Sequence, residues 1–165
     1  MGHPKRYAKK YDRPLKPWDK TRLERERKIK DDFGLRRKRE IWRAEGIVRD
    51  FRRRARELQA KRDETKEKEL LARLNTLGIQ CSKLDNVLSI DTADILARRL
   101  QTIVYTKKIA NTPRQARQFI VHGHVLIAGR KVSWPSYLVE KDMEDKISLD
   151  SYMAAKIIKE EVKKE

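Results

Sequence analysis

The residues best placed to do chemistry lie between Thr112 and Val132, in TPRQARQFIVHGHVLIAGRKV. Thr112-Pro113 is a helix start: a hydroxyl cap, then proline at the first helical position. Gly123 is the matching stop. On the helix between them, about 113–121, Ala116, Phe119 and Ile120 share one side, and Arg114, Arg117 and Gln118 share the other. The first side should pack and the second face out. Guanidinium and carboxamide planes can bond phosphate oxygens, ribose hydroxyls and base edges, so Arg114, Gln115, Arg117 and Gln118 are candidate contacts. His122 and His124 flank the turn. A His-x-His pair lacks a third metal ligand, so both are read as nucleic-acid contacts.

Other elements must hold this helix. His124–Ile127 reads as a strand, Ala128–Arg130 as a turn, and Lys131–Trp134 as a partner strand ending at Pro135. Lys146–Leu149 can add a third strand. A platform that fixes the helix lowers the entropy lost when its side chains bind. Trp134 and Tyr137 either stack on bases or pack beneath the sheet.

The chain has 165 residues, 41% of them charged and 38% hydrophobic, with a formal net charge of +17. Its pI is about 10.1. That balance implies a polyanionic partner, usually nucleic acid. A membrane surface would need a basic helix with a continuous bulky apolar face, and the basic segments here are broken by acids and prolines. Residues 1–66 hold 25 Lys+Arg against 12 Asp+Glu, and residues 67–165 hold 17 against 13. Within the milder part, Ile95–Val139 contains no acid but carries Arg98, Arg99, Lys107, Lys108, Arg114, Arg117, Arg130 and Lys131. Solvated faces normally mix signs, so this window is expected to face phosphate.

Cys81 is the single cysteine, which excludes an internal disulfide and a thiolate zinc cluster. No run approaches the ~20 apolar residues of a membrane span. The start, MGHPKRYAKK, has no signal-peptide core. The expected location is the cytoplasm. No cofactor and no metal are implied.

Upstream, Pro4, Pro14 and Pro17 oppose regular structure, so the first residues read as an extended basic arm carrying Lys5, Arg6, Lys9 and Lys10. Asp19 can cap a helix running to Asp32, with little core to bury, that ends at Phe33-Gly34. Leu35–Ala60 is the longest predicted helix. Ile41, Ala44, Val48, Phe51, Ala55 and Leu58 make its apolar stripe. Arg36, Arg37, Lys38, Arg39, Arg43, Arg52, Arg53, Arg54 and Arg56 crowd its other faces, where like charges repel until phosphate relieves them. A leucine-rich helix follows to Leu77, capped by Asp63 or Thr65. Leu84–Leu88 suggests a helical turn, and one helix is expected over roughly 93–106.

These residues resemble a known family. TPRQARQFIVHGHVLIAGRKVSWPSYLV is similar to the RNA-binding domain named after small-subunit ribosomal protein S-four. The domain's Ser/Thr-Arg-x-x-Ala-Arg pattern, His-Gly-His turn, basic Gly turn and Pro-Ser-Tyr exit are filled by Thr112, Arg114, Ala116, Arg117, His122, Gly123, His124, Gly129, Lys131, Pro135, Ser136 and Tyr137. ILARRLQTIVYTKKIA resembles its first helix, and GLRRKREIWRAEGIVRDFRRRARELQ resembles the helical part of the ribosomal family. The proline-rich basic start resembles the archaeal form, and the zinc-holding cysteine cluster of many bacterial members is missing.

The resemblance implies an α+β fold in four parts. These are a basic extension (1–34), a helical rRNA-binding subdomain (35–94), an S-four-type domain (95–150) and a helical tail (151–165). It also implies a structural constituent of the small ribosomal subunit that binds its rRNA early in assembly, at a multi-helix junction in the 5′ domain. Protein S-five would be a neighbour, mRNA near its entry channel a further partner, and the protein would support translation accuracy there. The same domain occurs in pseudouridine synthases, a tyrosyl-tRNA synthetase appendage and heat-shock RNA binders. The enzymes need a separate catalytic domain, and this chain has no phosphate loop, nucleophile motif or clustered acids in an apolar setting. A free RNA chaperone or recycling factor is the remaining alternative.

Overall fold

A computed structural model describes residue 2, residues 11–151 and residue 153. In order the elements are α1 (Lys20–Asp32), α2 (Lys38–Ala60), α3 (Glu64–Thr76), α4 (Leu84–Ser89), α5 (Thr92–Ala97) and α6 (Leu100–Thr106). They continue with α7 (Pro113–Val121), β1 (Val125–Ile127), β2 (Arg130–Lys131), α8 (Lys141–Glu144) and β3 (Ile147–Leu149). This is the expected α+β class. Lys5, Arg6, Lys9 and Lys10 of the basic arm, and nearly all of the tail helix expected over 151–165, lie outside the described residues.

Short polar side chains start the helices. Asp19 accepts from the backbone N–H groups of Thr21 and Arg22, Asp63 from that of Lys66, and Thr112 from that of Gln115. Each satisfies donors that the first helical turn leaves open. α2 begins three residues later than its sequence pattern predicts. The Leu35 N–H turns back to the Lys30 carbonyl at 2.8 Å and completes the end of α1 instead. Gly34 makes this turn with φ +57°, and a Cβ there would meet the Pro113 Cβ at 2.7 Å.

The helix expected over 93–106 is two helices. Between α5 and α6 the chain pairs sideways with the segment after β2. Leu100 N–H donates to the Tyr137 carbonyl at 2.8 Å, and Val139 N–H to the Arg98 carbonyl at 3.0 Å. Arg99 is extended (ψ 143°) and opposes Leu138. A peptide N–H bonded across to another strand cannot also serve the helix ladder, so the helix breaks there.

Two apolar clusters meet at this break. The first joins the α2 stripe (Ile41, Ala44, Val48, Phe51, Ala55) to Leu70, Leu74, Val87, Ile90, Ile95 and Leu96. The second joins Leu100, Ile103 and Val104 to Ala116, Phe119 and Ile120 of α7 and to Val125, Ile127, Val139 and Ile147. The antiparallel sheet has the order β2-β1-β3, with Ile127 opposite Arg130 on one side and Ile147 on the other. β2 is two residues long, against four expected. Ala128 (φ 48°) and Gly129 (φ 78°) form a tight two-residue hairpin of left-handed residues.

Candidate nucleic-acid interface

A carboxylate organises the seam between the two clusters. Glu40, in the first turn of α2, accepts from Arg99 Nη2 at 2.6 Å and from Arg117 Nη1 at 3.1 Å through one oxygen. Its other oxygen accepts the backbone N–H groups of Arg36 (3.3 Å) and Arg37 (3.2 Å). Arg117 also donates to Gln101 Oε1 at 3.3 Å. Buried Gln101 in turn donates to the carbonyls of Phe33 (3.1 Å), Gly34 (3.0 Å) and Pro113 (3.0 Å). The end of α1, the start of α2, the α5–α6 break and α7 are thus tied at one point. Burial pushes the Glu40 carboxyl up, but the hydrogen bonds and charges of Arg117 and Arg99 outweigh it and hold the group below its ordinary value.

This seam corrects two assignments. Arg99 is 5% exposed and paired with Glu40, so it is a structural cation and not a presented one. Arg117 does not stand outward beside Arg114 and Gln118. It reaches across to Glu40 and is half-buried. Gln115 spends its carboxamide oxygen on the Asn111 N–H at 2.8 Å.

The acid-free window is also less free in space than in sequence. Arg98 pairs with Glu144 (2.9 Å), Lys107 with Asp145 (3.2 Å) and Lys131 with Asp150 (3.5 Å). All three acids come from beyond Val139. Of the window's eight Lys and Arg residues, Lys108, Arg114 and Arg130 are exposed with no carboxylate partner among the described residues. Gln118 and His122 are exposed beside them, and His124 is half-buried with its ring 6.2 Å from that of His122. Among the described residues no group of three or more His, Cys, Asp or Glu gathers to hold a metal. Trp134 is 70% exposed, so it does not pack beneath the sheet.

On α2 the arginines divide in the same way. Lys38 pairs with Glu26 at 3.1 Å, Arg52 donates to the Ile90 carbonyl, and Arg53 lies between Asp50 (3.5 Å) and Glu57 (3.7 Å). Arg36, Arg37, Arg39, Arg43, Arg54 and Arg56 are exposed with no carboxylate partner among the described residues. Arg39, Arg43 and Arg54 recur at steps of four and eleven, which places them on one helix face. Tyr11 rests on Trp42 with ring centroids 6.0 Å apart, and the Arg39 guanidinium beside its hydroxyl lowers its pKa.

Three structural residues escaped the sequence reading. Glu26 is 3% exposed, accepts from Trp42 Nε1 at 2.9 Å and pairs with Arg22 at 3.5 Å. Gln101 and Glu40 are the others. The available signal was Glu40 itself, the one acid between Arg36 and Arg43 and the third residue of its helix.

Both parts of the scaffold carry exposed cations that lack carboxylate partners among the described residues, an arrangement suited to a polyanion. Comparison with known proteins narrows this class. The S4 domain family matches residues 98–145. The chain is 49% identical to small ribosomal subunit protein uS4 of Hyperthermus butylicus, covering 100% of this chain and 98% of that protein. It is 48% identical to the same protein of Methanococcus aeolicus (90% of this chain, 87% of the relative) and 48% identical to that of Picrophilus torridus (90% and 85%). The chain belongs to the small ribosomal subunit protein uS4 family, in its archaeal form.

Proposed function

We propose that the protein is a structural constituent of the small ribosomal subunit in the cytoplasm, and not an enzyme, and that it binds the rRNA of that subunit. The observation that carries this reading is the geometry of the cations. Arg36, Arg37, Arg39, Arg43, Arg54 and Arg56 on one part, and Lys108, Arg114 and Arg130 on the other, lack carboxylate partners among the described residues. The Glu40 seam fixes the two parts relative to each other. Two rigidly joined cationic surfaces can hold two RNA helices at a set angle, which organises a junction without catalysis. The finer reading is a primary binder at a multi-helix junction in the 5′ domain, neighbouring S-five and the channel through which mRNA enters, where it supports accuracy of translation.

The test is sedimentation of the tagged chain from its own cells, followed by ultraviolet cross-linking. The protein should run with small subunits and cross-link to 5′-domain rRNA. Recovery only in the free fractions at the top of the gradient would reject the ribosomal assignment. Cross-links confined to another rRNA domain would reject the junction.

A further inference from the structure

A groove opens where the two parts of the molecule meet. Its cavity volume is about 230 Å³. The floor is apolar, formed by Ile47 of α2, Ile95 of α5 and Leu138. Arg37, Arg39 and Arg43 stand around it, all exposed and none held by a carboxylate among the described residues. Glu40 also borders the groove, but Arg99 and Arg117 already occupy it. Tyr11 lines the groove and is braced by Trp42.

An apolar floor beside three exposed guanidinium groups that lack carboxylate partners among the described residues suits one kind of ligand. It must offer a flat apolar face and carry anionic charge on both sides. An unpaired nucleotide does so, since its base has a π-face and a phosphate lies 5′ and 3′ of it. An acidic peptide shares the charge but carries it on flexible stems with no planar face, so it would leave the floor uncovered. A duplex cannot enter, because its bases are stacked and paired.

We infer that this groove receives a single unstacked nucleotide of the bound RNA, with its base on the Ile47–Ile95–Leu138 floor and its flanking phosphates on Arg37, Arg39 and Arg43. The inference rests on the proposed rRNA binding and adds a site to it. A base seated there touches α2, α5 and Leu138, which packs against the first apolar cluster.

The test fills the groove without changing charge. Ser136 is exposed and lines the groove. Ser136→Trp should lower affinity for a 5′-domain rRNA fragment about tenfold, the size of the apolar contact one base loses on leaving an aliphatic floor, and should make the salt dependence shallower as the flanking phosphates leave their arginines. Asn86→Trp adds the same side chain on α4, where it does not line the groove, and should bind as wild type. In the wild-type complex, ultraviolet light should cross-link Tyr11 to a nucleotide that is unpaired in the RNA. Full affinity in a folded Ser136→Trp protein would overturn the groove while leaving rRNA binding intact. A Tyr11 cross-link to a paired nucleotide would overturn it as well, whether or not that variant folds. Absence of any wild-type preference for the rRNA fragment over an unrelated RNA would overturn the groove and the ribosomal reading together.

Discussion

Replacing Glu40 by alanine removes the acceptor shared by two arginines. Arg99 has a side chain only 6% exposed, so water cannot easily take the carboxylate's place. Arg117, at 24%, is better solvated and should lose less. The Arg36 and Arg37 N–H groups are exposed, and water can satisfy them. The dominant cost is therefore one buried guanidinium left unpaired, about 3–5 kcal/mol. For a chain of this size each kcal/mol moves Tm by about 2–4 °C, so Glu40→Ala should melt about 6–20 °C lower. Differential scanning calorimetry measures the shift. Arg53→Ala is the matched control, because Arg53 is exposed between Asp50 and Glu57 and should cost less than about 1 kcal/mol. A Glu40→Ala protein that melts within 2 °C of wild type, or no lower than Arg53→Ala, would refute the idea that this carboxylate joins the two parts. A double variant that also replaces Arg99 with methionine should recover much of the loss, since the uncompensated charge goes with it.

Three further outcomes follow from the same geometry. The Glu40 carboxyl titrates below its unfolded value, so its stabilising effect is complete above about pH 5 and is lost as pH falls through its folded pKa. Melts at descending pH should show wild type losing more stability than Glu40→Ala, and parallel acid limbs would contradict this. Gly34→Ala places a methyl group against Pro113 at a left-handed φ and should cost about 2 kcal/mol or more in denaturant unfolding; an unchanged midpoint would disprove the close approach of the α1–α2 turn to α7. Arg114→Ala should weaken RNA binding by about 1–3 kcal/mol with Tm unchanged, whereas Arg117→Ala should lower Tm as well. Equal melting of the two variants would restore Arg117 to the outward face.

The legible parts of the fold were those set by neighbours in the chain. Asp19, Asp63 and Thr112 cap where their side-chain oxygens reach the next turn, and the α2 stripe follows from helical spacing. The α5–α6 break was not legible, because its cause is a hydrogen bond from Leu100 to Tyr137. Nothing local in ILARRLQTIVYT announces that partner. The pairing of cations in the acid-free window was not legible for a related reason. An acid-free stretch excludes acids nearby in sequence, but Glu40, Glu144, Asp145 and Asp150 come from outside it and pair with Arg99, Arg117, Arg98, Lys107 and Lys131. The exposed arginines of α2 were easier to read, since ten basic residues share that segment with four acids and most are left over. The groove beside them needed the fold, because its floor comes from Ile47, Ile95 and Leu138 together.

The two cationic surfaces are expected to recognise a particular fold of rRNA, beyond attracting any polyanion. The direct measurement is affinity for the 5′-domain fragment of small-subunit rRNA against an equally long, unrelated structured RNA across a salt series. Both affinities should fall with salt, by about 0.7–0.9 log units per phosphate contact for each tenfold rise. The preference for the rRNA fragment should persist at high salt. Equal affinities that vanish together as salt rises would contradict specific recognition and favour a free RNA chaperone.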